Sequence, residues 1–485
     1  MLRAITIESQ LQQPFALPSP LEEARYRPGF VVGWEPSPKL LQSLSQKPCI
    51  SRAYSYQQEQ HLRHFCILKE RRLEKERLLV MTWDIPGRCQ IDKMTQTIIY
   101  HLQRHDTYHV WCHLNDESNQ EEMSRVIEAS EIQVEPTTFG WMESSQWIHR
   151  LLSTPGTDQW NCFQFGIIQR DSDFTFFACI DHLYADGYFL AIVFEEIHAI
   201  YHSLVANEQP KAFPPTASYL DYCRHQRLNS DSLTLQHPGI QEWLHFLRSN
   251  DGQLPRWPLE LQADSETWQS SISIVTILDA LETKDFVRYC RNIKVPFLVG
   301  MLSCFAFAEH LLTGRKEIHL VTPVTNRSSR AEFRTMGWFT GLVPVSITGF
   351  EYGMVHVMQR AKLSFNSRRQ LASIPIERLV ELTSEESDIH WPMSGGFMFS
   401  CGLPVTERLM SAFYASNGSI YLNQAQSSGI ALWITKSCQG TSASISHPAT
   451  LEAKACLEIM MLKFSHICKE VSRGRMNSVI ETVQL

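Results

Sequence analysis

Phe174-Thr175-Phe176-Phe177-Ala178-Cys179-Ile180 runs without a break into Asp181-His182-Leu183-Tyr184-Ala185-Asp186-Gly187. Aromatic and β-branched residues in the first seven positions suit a buried strand. Asp186-Gly187 is a tight-turn signal, and Phe189 to Leu204 carries apolar residues at helical spacing. The segment therefore predicts strand, turn and helix in succession. A histidine at the end of such a strand sits on rigid backbone and points toward whatever space lies beyond.

The same pattern extends in both directions. Phe163 to Ile168 reads as a second strand and Leu78 to Trp83 as a third. Ile91 to His105 places Met94, Ile98, Ile99 and Leu102 on one helical face, and another helix is expected to start after Ser55-Tyr56-Gln57-Gln58. Pro14, Pro18, Pro20, Pro28, Pro36 and Pro38 make the first forty residues an irregular arm with short extended pieces. Pro210, Pro214 and Pro215 mark Asn207 to Ala217 as a linker, so the halves are expected to be 1–210 and 211–485, with the boundary near 205–220. Beyond it, helices are predicted at Tyr219–Arg227, Ile240–Ser249, Lys284–Lys294 and Val299–Leu312, with a closing helix at Leu451–Val471. Strands are predicted at Ile272–Leu278, Ile318–Val321, Leu342–Ile347, Phe397–Cys401 and Ala431–Ser437. Alternation in both halves makes the class α/β.

Composition bounds the function. The chain has 485 residues, 44% of them hydrophobic and 20% charged, which excludes disorder as the main state and calls for more than one core. A formal charge of −7 gives no basic footprint for a nucleic-acid backbone. The thirteen cysteines stand singly with no Cys-x-x-Cys pair, which fits a reducing cytoplasm better than a disulfide framework. Glu8 and polar neighbours interrupt the start of the chain, so no secretory leader is read and the mature chain is expected to begin there. The longest uncharged stretch, Leu409 to Thr435, is broken by Ser416-Asn417-Gly418-Ser419 and by Asn423 to Gly429, short of the roughly 20 apolar residues of a spanning helix.

The familiar nucleotide and hydrolase signatures are missing: no phosphate-binding glycine loop, no Gly-x-Ser-x-Gly elbow and no His-Glu-x-x-His helix occurs. His101, His105 and His109 stand four apart and would share a helical face as metal ligands, but no carboxylate or cysteine accompanies them at a matching spacing. Polar packing at a helix end is the preferred reading, and the same holds for His61 and His64. No metal site is assigned.

His182 suits a general base, because an imidazole with an ordinary pKa of about 6.5 takes and returns a proton near neutrality. Asp186 suits a structural role, either fixing the loop through an arginine or capping the following helix, and Gly187 is expected to let the backbone turn where a Cβ would clash.

His182-x-x-x-Asp186-Gly187 after a strand resembles the signature of the acyltransferase superfamily that includes condensation domains, chloramphenicol acetyltransferase and plant acyl-CoA-dependent enzymes. More closely, the chain resembles the polyketide-associated, Pap-type acyltransferases. The similar stretches are 55–62, 82–89, 101–109, 163–169, Asn250 to Pro255 and Gly337-Trp338-Phe339-Thr340-Gly341-Leu342-Val343-Pro344. The resemblance implies two chloramphenicol acetyltransferase-like subdomains in a V-shaped, pseudo-dimeric arrangement around a central tunnel. It implies His182 as base, Asp186 as partner of Arg327 in a bidentate pair, and Asp181, Trp338, Thr340 and Gly341 along the substrate passage. The Asp-Phe-Gly-Trp-Gly motif of condensation domains is absent from the last hundred residues, which favours the Pap-type group.

The implied reaction moves an acyl group from acyl-CoA or a phosphopantetheinyl acyl-carrier protein to a hydroxyl of a sugar, glycolipid or other alcohol, with no bound cofactor. A monomer in the cytoplasm, with peripheral association at the inner face of the membrane, fits that role. Two further readings share the fold: a free-standing condensation enzyme that forms an amide, and a non-enzymatic member that only docks carriers or lipids.

Overall fold

The structure, a computed structural model, describes residues 18–475 apart from 45, 48, 52–53, 114–122, 262–266, 385–387, 391–395 and 403–405. In the first half, β1 (Pro18–Pro20) and β2 (Gly29–Pro36) precede α1 (Tyr56–Glu70), β3 (Leu78–Pro86) and α2 (Ile91–Arg104). Then follow β4 (Val134–Met142), β5 (Phe163–Gln169), β6 (Asp173–Asp181) and α3 (Phe189–Val205). Helix α1 begins at Tyr56, within the segment after which it was expected to start, because Ser55 and Gln58 form a reciprocal capping box over its first turn. Strand β6 is buried along almost its whole length, as its aromatic run requires.

The second half carries α4 (Tyr219–Asp231), β7 (Trp268–Asp279), α5 (Ala280–Asn292), α6 (Phe297–Thr313), β8 (Glu317–Thr325) and β9 (Thr340–Thr348). It continues through α7 (Met354–Arg368), α8 (Ile376–Thr383), β10 (Phe397–Cys401), α9 (Glu407–Ala415), β11 (Ser419–Leu422), β12 (Gln426–Ser427), β13 (Ile430–Ser437), β14 (Gly440–Pro448) and α10 (Leu451–Ser472). Helix α6 is nearly all apolar and correspondingly sunk, packed between α7 and α10.

Two seven-stranded sheets result, β1-β11-β3-β6-β5-β2-β4 and β9-β8-β10-β13-β14-β7-β12, each with its own core. Most pairs are antiparallel; β8, β10 and β13 run parallel, as do β1 and β11. A small third sheet joins Cys49–Ser51, Met123–Val126 and Val110–His113. The class is α/β, as expected, with mixed sheets covered by helices.

Two expectations are corrected. The proline-marked arm contains β2, an eight-residue strand inside the first sheet, because Pro28 lies just before it and Pro36 at its end, where neither breaks a central ladder. The division 1–210 and 211–485 also fails locally. Strand β11 pairs with β3 of the first sheet, and Phe413 of α9 packs into the first core beside Phe194 at 5.2 Å. Asn423 then holds the backbone N–H groups of Arg77 and Leu78 through its Oδ1, at 2.9 and 2.8 Å. The linker itself lies where its prolines placed it, as exposed coil after α3.

Candidate active site

His182 opens a single 3-10 turn, His182–Tyr184, directly after β6. Its backbone N–H donates to the Arg77 carbonyl at 2.8 Å, while Asp181 Oδ1 accepts from Leu183 N at 2.9 Å and closes the turn. The indole of Trp338 lies against the imidazole, with ring centroids 4.0 Å apart. His182 Nδ1 is buried and makes no hydrogen bond. Burial lowers the proton affinity of the ring; its own carbonyl, Asp181 and Asp186 oppose that shift, and Lys75 adds to it. The free base, the form able to take a proton, is therefore favoured over a wider pH range than for an exposed histidine.

Of the two roles expected of Asp186, the pairing with an arginine is present, whereas α3 has Tyr188 as its N-cap and no side-chain cap, so Asp186 closes the turn ahead of the helix rather than capping it. Oδ1 accepts from Tyr188 N at 3.0 Å at the entry to α3, and Oδ2 accepts from Arg327 Nη1 at 2.6 Å and Phe339 N at 3.0 Å. The ion pair is single rather than bidentate, because the remaining guanidinium donors are engaged elsewhere. Arg327 Nε donates to the Glu332 carbonyl at 3.0 Å, and Nη2 donates to those of Thr335 and Gly337 at 3.1 and 3.3 Å. Its plane lies between the rings of Tyr188 and Phe339, 4.4 and 4.2 Å from their centroids. Arg327 thus shapes the loop leading to Trp338 while tying that loop to the His182 turn.

Gly337 has φ +145°, and an added Cβ would lie 2.3 Å from the Tyr219 ring, so glycine is required there. The Tyr219 hydroxyl donates to the Trp338 carbonyl at 3.2 Å, which completes the support of the indole. Thr340 is partly buried, and its carbonyl accepts from Gln57 Nε2 at 3.1 Å across the halves. Gly341 faces backbone: a Cβ would meet the Ala372 carbonyl oxygen at 1.9 Å. Its role is close packing, not the lining of a passage.

Two other assignments change. Asp181 does not line open space. It is wholly buried, with His61 Nε2 at 2.8 Å and Leu183 N at 2.9 Å on Oδ1, and Arg77 Nη1 at 2.9 Å and Thr157 Oγ1 at 2.7 Å on Oδ2. Four donors hold it as a carboxylate with its pKa far below the usual range. Gly187 is exposed and its φ lies outside the left-handed region, so the turn does not itself demand glycine. His61, Lys75 and Arg77 are the residues around His182 that spacing could not find; only the buried face of α1, with Gln58, His61, Leu62 and Phe65, hinted that His61 points inward.

The histidine trio separates. His109 Nε2 contacts the Leu102 carbonyl at 3.1 Å, whereas His101 Nδ1 and His105 Nε2 both lie 2.9 Å from Glu196 Oε2, with Arg104 Nε on Oε1 at 2.7 Å. Glu196 supplies the carboxylate that local spacing lacked. Met336 N–H donates to His105 Nδ1 at 3.2 Å, so the ring proton lies on Nε2 and is given to Glu196. That tautomer leaves His105 Nε2 no lone pair for a metal, and the cluster is a hydrogen-bonded anchor between α2, α3 and the Arg327 loop. A surface cavity of about 390 Å³ near Cys290, Phe297 and Lys362 borders none of the site residues.

Comparison with known proteins decides the family. The condensation-domain model matches residues 79–408, more than half of the chain. The chain belongs to the condensation-domain family. Within it, the chain is 33% identical over 425 residues to the acyltransferase PapA3 of Mycobacterium tuberculosis, covering 87% of this chain and 89% of that one. It is 34% identical over 425 residues to the trehalose-2-sulfate acyltransferase PapA2 of Mycobacterium bovis, covering 87% and 90%. A solved PapA2 acyl transferase superposes with a TM-score of 0.87 at 31% identity over 94% of this chain and 99% of that one. The first condensation domain of the calcium-dependent antibiotic synthetase, at 11% identity and TM-score 0.65, covers 87% of this chain and 96% of that one and shares the fold. This condensation-domain protein is therefore a Pap-type acyltransferase.

Proposed function

We propose that the chain transfers a fatty or polyketide acyl group from a CoA or phosphopantetheinyl carrier thioester to a hydroxyl of a trehalose-like sugar or glycolipid. The observation that carries the mechanism is His182, held on a doubly braced turn against Trp338 with its proton affinity lowered. The free imidazole removes the acceptor hydroxyl proton as that oxygen attacks the thioester carbonyl. The tetrahedral adduct then collapses by breaking the C–S bond, and the imidazolium returns the proton to the departing thiolate. Ester and thiol result, and no enzyme-bound acyl group forms. Positioned base catalysis contributes roughly 10²–10⁴-fold, so holding both substrates in a dry passage between the halves must supply much of the rest.

The sugar acceptor is supported by the trehalose-2-sulfate activity in the name of PapA2. One chain supplies both His182 and Arg327, which suits a monomer. No single helix among the described residues is long and apolar enough to cross a membrane, and we place the protein in the cytoplasm, meeting lipid substrates at the inner face. The test offers palmitoyl-CoA with trehalose, trehalose 2-sulfate and a primary amine, and identifies the product by mass. A palmitoyl ester of either sugar is the expected result; amide as the sole product, or no transfer to any hydroxyl, overturns the proposal.

A further inference from the structure

The base is also braced from a side that the Asp186–Arg327 bridge does not reach. His61, on the buried face of α1, donates through Nε2 to Asp181 Oδ1 at 2.8 Å, and its Nδ1 faces Lys75 Nζ at 3.1 Å. An ionised carboxylate only accepts, so the His61 proton sits on Nε2 and Nδ1 offers its lone pair to Lys75. Lys75 Nζ also donates to the His61 carbonyl at 2.8 Å, gripping side chain and backbone together. Lys75, on the segment between α1 and β3, is itself almost fully buried.

The His61 ring lies beside that of His182, centroids 6.1 Å apart, and two further lines of contact join them. One passes through Asp181, whose Oδ1 also receives Leu183 N and so closes the turn that starts at His182. The other passes through Trp338, which His61 meets at 5.6 Å with rings near perpendicular and which lies 4.0 Å from His182. We infer that Lys75 and His61 are positioning residues for His182, forming with Asp181 a buried Lys-His-Asp chain that orients the base and sets the charge behind it. The catalytic consequence rests on the acyl-transfer reading above.

The titratable groups facing His182 are Asp181 and Asp186 on its own segment, Lys75 ahead of β3 and the neutral His61 on α1, while Arg77 and Arg327 engage the two carboxylates. Burial brings the Lys75 ammonium down to about 7 and His61 to about 3. A neutral amine keeps two N–H groups, enough for both contacts to His61. Lys75 can therefore change charge without releasing its partner, and only the field at His182 changes.

The experiment follows the pH dependence of His182 carbethoxylation by diethyl pyrocarbonate, read by peptide mass mapping, in the wild type and Lys75→Met. Loss of the cation is expected to raise the His182 midpoint by about half a pH unit or more, and an unchanged midpoint overturns the inference. In parallel, His61→Leu is expected to lower kcat at least about tenfold with KM held within about threefold, and His61→Gln, which can donate to Asp181 and accept from Lys75, to recover most of it. Wild-type kcat in a folded His61→Leu also overturns it. Should His61→Leu not fold, Lys75→Met decides alone. Carbethoxylation needs no acyl substrate, so a chain that acylates nothing yet shows the shift refutes the proposed function while upholding this arrangement.

Discussion

Asp186 and Arg327 lie 141 residues apart in the chain and meet at 2.6 Å, with the carboxylate on the turn that carries His182 and the guanidinium on the loop that carries Trp338. Both are buried, and between them they use backbone and side-chain partners from each half. The pair is a joint as much as a salt bridge.

Arg327→Ala should therefore lower stability and turnover together. It leaves Asp186 buried with Phe339 N and Tyr188 N as its remaining donors, and breaking such a pair from one side costs about 3–5 kcal/mol. Arg327→Lys should rescue little, since an ammonium cannot supply the planar fork that reaches three carbonyls as well. Thermal unfolding and initial rates check both; a melting temperature and rate equal to wild type in either variant would contradict the joint.

His182→Ala tests the chemistry separately from the fold. The ring makes no side-chain hydrogen bond through Nδ1, so its removal should leave the melting temperature within a few degrees while turnover falls roughly 10²–10⁴-fold. Turnover close to wild type would remove His182 from the mechanism.

The rate should depend on pH through the free base of His182. Its folded pKa lies below the ordinary value, so kcat/KM should be flat above about 6.5 and fall only as pH drops through the lowered value. An acid limb centred above 7 is the outcome that contradicts this. Stability has a second acid dependence from His61, whose folded pKa is about 3 against an unfolded value near 6.5. The unfolded chain binds the extra proton throughout that window, so stability is full above about 6.5 and declines as pH falls toward 3. His61→Gln should flatten that part of the stability curve measured by urea unfolding.

Gly337→Ala isolates the support of the indole. The added methyl meets the Tyr219 ring at 2.3 Å on a backbone with φ +145°, so the loop must shift and carry Trp338 with it. The expected result is a loss of order 2 kcal/mol in stability and at least about tenfold in kcat. Quenching of Trp338 fluorescence by acrylamide, compared in Trp338→Phe controls, would show whether the indole moved.

Glu377 on α8 offers a test that does not pass through His182. Burial raises its carboxyl to about 7, against the opposing pull of Arg227, and its Oε2 has no partner. The unfolded carboxyl ionises near 4.5, so this group erodes stability as pH rises from there through 7. Glu377→Gln should stabilise the protein at pH 8 by on the order of 1 kcal/mol and do little at pH 4. Equal effects at both values would mean that the charge is not the cause.

Local pattern carried the elements that built the site. The run from Phe174 to Leu204 announced strand, turn and helix, and they stand within a residue or two of the predicted limits. Arg327 was legible only through resemblance, because nothing in the spacing of Asp186 points to a residue on a loop after β8, 141 residues away. Asp181 was misread for the opposite reason. It adjoins the base in sequence, but successive residues leaving a strand face opposite ways, and Asp181 turns inward to Arg77 while His182 does not. His61 was read as ordinary polar packing in preference to a metal ligand, and its place behind the base was missed because its true partners lie 14 and 120 residues away. The carboxylate of the His101–His105 cluster was missed likewise, as Glu196 belongs to another helix.

Strand β11 sets a timetable. The edge of β3 in the first sheet is closed by residues 419–422, and among the described residues β1 pairs with no other strand. A nascent chain that has emerged through α3 holds the base and most of its core yet still exposes that edge. Some two hundred further residues must be made before the first sheet can close. A fragment ending at the linker would carry His182 and an open ladder, prone to pairing with a second copy, so the two halves are one unit of synthesis although each has a core of its own.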